Sequence, residues 1–509
     1  MKYLLPLFCA IAAPAAVAQT TWTYTAAPTT YITRITDVVE HDGSYTILRN
    51  EYDLQATPRS RSSLLALDGN GASQQIRDLW NSSTSFYAYS MLRNDGPPGV
   101  VVHGTIDEQP SGVSFIHLAA DHTLQVLDSN EIRLPGLVKA YVHNVAALPN
   151  GAGSAATIMG YRSLEGPVNG YMLLRVSATG DSLHSFEATA PYPLIPRDIV
   201  LVSPDTLLVS NVGMLVSPLP VEGSPASYTK FSDELNLLSG FISRPFNGTS
   251  DPITWFNTLF DFHLVRLSSG NLIASGRPES AGYMRTVVLK LGPSGEWKAV
   301  FMPQSGFPAD CPGHLESLAL EGDMLWVASM ENFHPGTPQN NDIFTPDHPN
   351  QVRIFKLDTA LNVVCTQVLD GFADSTYYWV DRIKATTDGG YLLCGARVDL
   401  HVPNARMVGW VQKFGPDDCF TSMEEGSLDV AINVFPNPGT DQLHIQLNGP
   451  IRSGRLSLWD MNGREVSHAT LYGNAATIDT QALNVGVYAY RVSSTQGELL
   501  SSGRWVKVE

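Results

Sequence analysis

Apolar and polar positions alternate in short runs along most of the chain, and the runs come in sets. From Thr386 the sequence reads as a turn (Asp388-Gly389-Gly390), a short apolar strand, a variable loop, a second strand at Gly409–Phe414 and another turn. From Ser268 the same parts follow in the same order. Further copies start around Glu40, Arg93 and Leu148, with weaker ones around Val202 and Leu320. Their turn cues, at Gly43, Gly96, Gly151, Asp205, Gly270, Gly322 and Gly389, lie 52 to 67 residues apart. A repeat of that length marks a stacked architecture. Period-two alternation bounded by Gly, Asn, Asp and Pro predicts about four short strands per copy. One such meander cannot bury both of its faces, whereas seven packed around an axis can. The pattern predicts an all-β chain: a seven-bladed β-propeller over 19–420, followed by a small immunoglobulin-like β-sandwich.

Copies one to six each end on an outer strand, as at Gln74–Leu79, Leu124–Leu127, Leu235–Leu238 and Trp297–Met302. Copy seven ends at Gly415–Phe420 without one. The alternating stretch Thr20–Ala26 is expected to supply it, which removes a free sheet edge; the alternative is a leader without structure. Two inserts stand out. Asn332–Gln351 is rich in Pro, Asn and Asp, and Ser243–Phe262 carries Trp255, Phe256, Phe260 and Phe262. Aromatic residues on long loops suit sugar or protein contact, or simply pin the loop to its scaffold.

After Cys419 the small, acidic and polar stretch 421–430 reads as a linker. A new alternation then opens the last domain, 431–509. Leu443, Ile445 and Leu447 share one face, opposite Gln442, His444 and Gln446. Met461-Asn462-Gly463 between alternating segments is a hairpin signal. With the segments that follow, about seven short strands are expected here.

Lys2, the apolar run Tyr3–Ala13 and Ala16-Val17-Ala18 form the charged start, core and small-x-small site of a signal peptide, 1–18; the alternative is a buried first strand or helix. Its removal takes the net charge from −17 to −18. An acidic chain without a basic stripe excludes nucleic acid as a partner. No later run reaches the roughly 18 apolar residues of a transmembrane segment. Four cysteines remain, Cys311, Cys365, Cys394 and Cys419. In an oxidising compartment they suggest disulfides Cys311–Cys365 and Cys394–Cys419, each within one copy, or else four buried thiols.

Pro436-Asn437-Pro438, Asp460 with Gly463, Leu483, the segment Asn484–Val492 with Gly486 and Tyr488, and Lys507 resemble the type A C-terminal sorting domain of type IX secretion substrates of the Bacteroidetes. The resemblance covers about 430–509. Val485 stands where that family usually has proline, and the last residue is Glu509. The resemblance implies Sec export, then passage across the outer membrane with the type IX machinery as partner, ending in release or surface attachment. The alternative for this fold is a carbohydrate-binding or structural domain. The repeats resemble propeller repeats of secreted proteins in the same bacteria, which bears on fold rather than activity.

Catalytic patterns are lacking: there is no His-Glu-x-x-His, Gly-x-Ser-x-Gly, P-loop, Gly-x-Gly-x-x-Gly or Cys-x-x-Cys. The stretch at Leu67 looks like a calcium loop without its later carboxylates, and Asp417-Asp418 occupies an equivalent turn. No metal or cofactor is expected. Asp181-Ser182-Leu183 and Asp205-Thr206-Leu207 resemble bacterial O-glycosylation triplets.

A propeller's ligand site is its axial mouth, lined by the residues that open each innermost strand. Those are His143 with Asn144, Asp261 with His263, His314 with Glu316, and Trp379 with Asp381 and Arg382; Arg197 and Asp198 join them. Their convergence suits a small ligand, or else lines a solvated channel. The favoured reading is an exported propeller, attached or released, that binds an extracellular glycan or protein. One alternative is a polysaccharide hydrolase or lyase using His143, His263, His314 and Asp381, which requires two of them within reach in one cleft. Another is a structural envelope or biofilm component. Whether the protein is an enzyme stays open at this stage.

Overall fold

The computed structural model describes residues 21–29, 31–52, 60–79, 85–94, 99–108, 112–161, 170–189, 194–213, 227–242, 263–276, 279–280, 283–303, 305, 307, 309–333, 348–403, 405–418, 432–460, 464–494 and 499–508. The signal peptide, the linker, Cys419, Gly463, Asp261, and the inserts at 243–262 and 334–347 lie outside them. The chain divides into two compact units, Met1–Cys419 and Phe420–Glu509.

The described residues of the first unit form seven sheets of four or five strands and one small hairpin. An N-terminal strand, β1 (Trp22–Thr25), precedes them. Seven further strands open the successive sheets: β2 (Ile32–His41), β3 (Ser85–Asn94), β4 (Lys139–Ala147), β5 (Leu194–Ser203), β6 (His263–Arg266), β7 (Leu318–Glu321) and β8 (Thr376–Ala385). Each of β2 to β7 lies beside the opening strand of the next sheet, and β8 lies beside β2. This cycle is β-propeller-like. Seven apolar clusters fill the spaces between successive sheets, so both faces of every sheet are covered. Leu48 and Leu64 of the first sheet meet Phe86 and Val102 of the second, and Trp326 of the sixth meets Tyr377 and Trp410 of the seventh.

The last hairpin of several sheets repeats one turn. Asp68, Asp121 and Asp358 each accept two backbone N–H groups at 2.8–2.9 Å. The residue three positions on has positive φ: Gly71, Leu124 and Leu361. A leucine is strained there, and both leucines bury their side chains.

β1 pairs antiparallel with β9 (Val408–Phe414), Trp22 opposite Lys413 and Thr25 opposite Trp410. Within the predicted stretch, Trp22–Thr25 is therefore the outer strand of the seventh sheet, and Thr20 lies outside the described residues.

Neither predicted disulfide forms, because neither Cys311 nor Cys394, both buried, is part of a disulfide. Cys311 lies on the short strand Asp310–Pro312, which pairs Met324–Glu331 as β7 does, and Cys365 lies on the far edge strand of the same sheet. Three strand spacings separate them by about 14 Å, and a disulfide needs Cα atoms within about 7 Å. Cys394 is packed beside Ile35, Leu392 and Val411.

Among its described residues the second unit has five strands in one hydrogen-bonded sheet: Ile432–Phe435, Gln442–Trp459, Glu465–Asp479, Gly486–Ser494 and Leu499–Lys507. About seven short ones were expected. The difference comes from two long strands of 18 and 15 residues. Gln442–Trp459 runs on through Asn448-Gly449-Pro450, with register shifts at Gln446/Ile451 and Ile451/Gly454. Bulges thus bend one strand where separate strands would otherwise be joined by a turn. Leu443, Ile445, Leu456, Leu458, Tyr490 and Trp505 form its core.

Candidate functional site

Five of the seven opening strands carry a register shift at the same place: Ile35/Asp37, Ala88/Ser90, Val142/Asn144, Pro196/Asp198 and Val380/Arg382. The extra residues are Thr36, Tyr89, His143, Arg197 and Asp381. A bulge re-aims its side chain out of the regular alternation. The residue after four of these bulges ties one sheet to the next. Asp37 Oδ2 accepts the Met91 N–H at 2.8 Å. Asn144 donates to Asp198, and Asp198 Oδ2 accepts the Leu264 N–H at 2.6 Å. Arg382 Nε donates to the Thr36 carbonyl at 2.7 Å, which joins the seventh sheet to the first.

Glu316 reaches this level by another route. The segment His314–Glu316 runs alongside β8, with its N–H groups donating to the Val380 and Asp381 carbonyls at 2.8–2.9 Å. Glu316 Oε2 then accepts Arg382 Nη1 at 2.7 Å and also pairs with Lys384. Burial opposes its ionisation, but Lys384 and Arg382 outweigh it and hold the carboxyl down to about 2. Asp198 is pushed the other way, up to about 7: burial disfavours the charged form and Glu316 adds to this, against the donors from Leu264, Ile199 and Asn144. A cavity of about 140 Å3 is bounded by Ser90, Asn144, Asp198, Leu264, Glu316 and Arg382.

One step toward the start of the opening strands stands a second group. Asp381 accepts Trp379 Nε1 at 3.0 Å and Arg34 Nε at 3.1 Å. Burial works against the Asp381 carboxylate, and the Arg34 guanidinium keeps it below the usual range. Arg34 also lies over the Trp379 ring, 5.3 Å from its centroid. His314 Nδ1 is 3.6 Å from Asp381, too long for a hydrogen bond, and its ring is 5.4 Å from that of Trp379. On the neighbouring strands Tyr87, Tyr89 and Tyr141 form a chain of ring contacts at 4.7 and 6.3 Å. Lys139 caps Tyr141 at 4.9 Å.

His143 and His263 lie near these groups but make no hydrogen bond to them. His143 Nε2 and both ring nitrogens of His263 have no hydrogen-bond partner. Burial, reinforced by Arg197, drives His143 well below its usual value. His263 is lowered to about 3, chiefly by burial.

An unfolded histidine takes its proton near 6.5 and folded His263 near 3. Its contribution is therefore complete above pH 6.5 and drains away as pH falls toward 3. Glu316 acts in the same direction below pH 4.5. Asp198 opposes them, its contribution draining as pH rises from 3.8 to about 7. His263→Leu is expected to flatten the fall in melting temperature between pH 6.5 and 4 in a thermal denaturation series; an unchanged slope would rule out a neutral buried His263.

Of the predicted residues, the structure brings together His314, Trp379 and Asp381 in one group, and Glu316 with Arg382 in another. It leaves His143 and His263 unbonded, and no two of the proposed acid–base residues are hydrogen-bonded to each other. Sequence reading missed Arg34, Asp37, Tyr87, Tyr89, Tyr141 and Lys384. The first two copies carry the signal in plain form, since Thr36-Asp37 and Tyr89-Ser90 interrupt apolar strands just as His143-Asn144 does.

In the second unit the described motif residues bond to their own domain, with Pro436, Asn437 and Pro438 exposed and Tyr488 and Lys507 buried. Asn437 donates to the Arg504 carbonyl and accepts the Val506 N–H, both at 3.0 Å. Trp505 Nε1 donates to the Pro436 carbonyl at 2.8 Å, and Gly439 exchanges backbone bonds with Val506 and Val508 beside Pro438. Asp460 closes a turn onto the Arg464 N–H at 3.0 Å. Tyr488 donates to the Asn484 carbonyl at 2.7 Å, just past Gly486. Buried Lys507 donates to the Thr480 and Gln481 carbonyls.

Residues 433–502 match the family described as the secretion system C-terminal sorting domain. The tail is a type IX sorting domain. It marks the protein for secretion to the cell surface or beyond, and no helix among the described residues is long and apolar enough to cross a membrane. No curated protein matches the chain. Among solved structures it is similar to the polysaccharide lyase Uly1 at 8 % identity and a TM-score of 0.43, over 80 % of this chain and 94 % of that one. It is similar to a Penicillium chrysogenum alpha-L-arabinanase at 14 % and 0.41, over 61 % and 93 %, and to the phage phi92 endosialidase at 9 % and 0.40, over 96 % and 87 %. Overlaps this loose lend none of those activities to the chain that carries the sorting domain.

Proposed function

We propose that the first unit is a closed seven-bladed propeller, exported through its sorting domain, that binds an extracellular glycan at its axial mouth. The cycle of opening strands supports the blade count. The observation that carries the binding reading is the group at one end of those strands: half-buried Arg34 over the buried Trp379 ring, and half-buried Tyr87, Tyr89 and Tyr141 in contact. Rings that keep one face accessible suit the apolar faces of sugars, and the charged groups beside them suit hydroxyls.

Binding is favoured over hydrolysis because the central carboxylates are already engaged. Asp381 is held by Arg34 and Trp379, Glu316 by Arg382 and Lys384, and Asp198 by three N–H donors. A glycan array probed with the purified full chain, with and without chelator, tests this. The expected result is retention of at least one glycan class, weakened about tenfold by Tyr141→Ala. Retention of none, or release of new sugar ends from a bound glycan, overturns it.

A further inference from the structure

We propose that the outward face of the second unit's sheet, centred on Trp459, Arg491 and Arg504, is the surface by which an acidic protein of the type IX machinery holds the sorting domain. The motif residues do not form that surface. Asn437, Tyr488 and Lys507 commit their polar atoms to backbone groups of their own domain. They hold the fold together, and a partner reads what the fold displays.

Strand alternation decides what is displayed. In Gly486–Ser494, Tyr488, Tyr490 and Val492 enter the core, which turns Val487, Ala489 and Arg491 outward. The register sets Trp459 opposite Ala489 and Ala489 opposite Arg504, one row across three strands. Val487 faces Val506 in the row beside it. Arg491 and Arg504 are diagonal neighbours on adjacent strands, a separation of about 7–8 Å. Both arginines are exposed, and half-buried Trp459 stands outside the core cluster. Val487 is 39 % exposed.

The charge of this face is positive. Its acidic groups are already matched: Glu465, opposite Trp459 on the other side, pairs with Arg455 at 2.6 Å and His468 at 3.1 Å, and Asp460 pairs with Arg464 at 3.2 Å. Among the described residues neither Arg491 nor Arg504 has an ion-pair partner. Residues 431–509 hold six basic and six acidic side chains, so the net charge of −17 lies wholly outside the tail. An acidic partner repelled by the rest of the chain is attracted here.

The side chains favour a protein over a lipid surface. Tryptophan and arginine around a small residue are the composition of an interface hot spot, and Val487 with Val506 adds apolar area that a partner can cover. An anionic membrane selects clusters of about 4–8 lysines or arginines, and this face offers two unpaired ones.

The test expresses the full chain in a bacterium that carries the type IX machinery and measures the protein outside the cell and in the periplasm. Arg491→Glu combined with Arg504→Glu is expected to lower the exported amount about tenfold or more. The missing protein should collect in the periplasm, and the purified variant should keep its melting temperature because both side chains stand in water. Arg491→Lys with Arg504→Lys retains the charge and should export several-fold better than the double glutamate variant. Export of the folded double glutamate variant at the wild-type level overturns the proposal. Should that variant melt lower, Trp459→Ala and Arg491→Gln with Arg504→Gln decide, and normal export of both overturns it. Two measurements on the purified full chain separate other occupants. Binding to vesicles of anionic lipid that the double glutamate variant loses assigns the face to a membrane and overturns the protein partner. Self-association in light scattering that the same variant loses assigns it to a second copy and overturns it as well.

Discussion

Replacing Arg382 with methionine is expected to cost the first unit about 3–5 kcal/mol of stability, the loss typical of removing one partner from a buried ion pair. The side chain is 1 % exposed. Its guanidinium serves three other sheets or segments at once: Nε to the Thr36 carbonyl at 2.7 Å, Nη1 to Glu316 at 2.7 Å and Nη2 to the Tyr89 carbonyl at 3.2 Å. It also faces Asp37, 3.7 Å away. Methionine fills the volume but leaves Asp37, itself 1 % exposed, with Lys384 as its nearest cation at 4.0 Å. Arg382→Lys keeps the charge yet loses the fork, since an ammonium on a flexible stem cannot hold three directions; it should recover less than half of the loss. Asp37→Asn combined with Arg382→Met should cost less than the two separate changes added together, because the stranded charge is then gone. Chemical denaturation of the full chain measures all four proteins. Strict additivity would mean that the pair does not interact.

The same residue shows what a linear sequence carries and what it does not. Turn cues seen at Gly43, Gly151 or Gly389 depend on neighbours in sequence, and each marks a loop within one sheet. Polar pairs inside apolar strands are just as local, so His143-Asn144 and Asp381-Arg382 could be selected as mouth residues. Their partners could not. Arg34 lies 347 residues from Asp381 and meets it only because the cycle of sheets comes back to its start. The failed disulfides have the same origin: Cys311 and Cys365 share a sheet, but their distance depends on the number of strands between them. In the second unit, Leu443 and Ile445 announced a buried face correctly. The strand count went astray because a bulge lets one strand pass through residues, Asn448-Gly449-Pro450, that elsewhere end one.

The seam of the cycle is the other place where a single side chain should matter most. Trp22→Ala is expected to cost about 3–5 kcal/mol, the usual loss for a truncated core tryptophan. Trp22 belongs to β1 and so to the seventh sheet, yet its ring packs on Tyr45 of the first, 5.2 Å between centroids. The fit there is tight enough that a Cβ at Gly71, also on the first sheet, would lie 2.4 Å from the ring. Two consequences separate this arrangement from an ordinary buried ring. Gly71→Ala suffers both the clash and a backbone held at φ +80; in the Trp22→Ala background the clash disappears and only the backbone strain remains, so the pair should be strongly non-additive. Deleting 21–26 goes further, because it also leaves Val408–Phe414 as an open edge with unpaired N–H and C=O groups, a template for association with other chains. The shortened protein should melt lower and form oligomers in light scattering, whereas Trp22→Ala, which keeps the strand, should melt lower and stay monodisperse. If the deletion instead melts with the wild type, β1 does not close the seventh sheet, and the cycle is held shut by the opening strands and the Arg382 bonds alone.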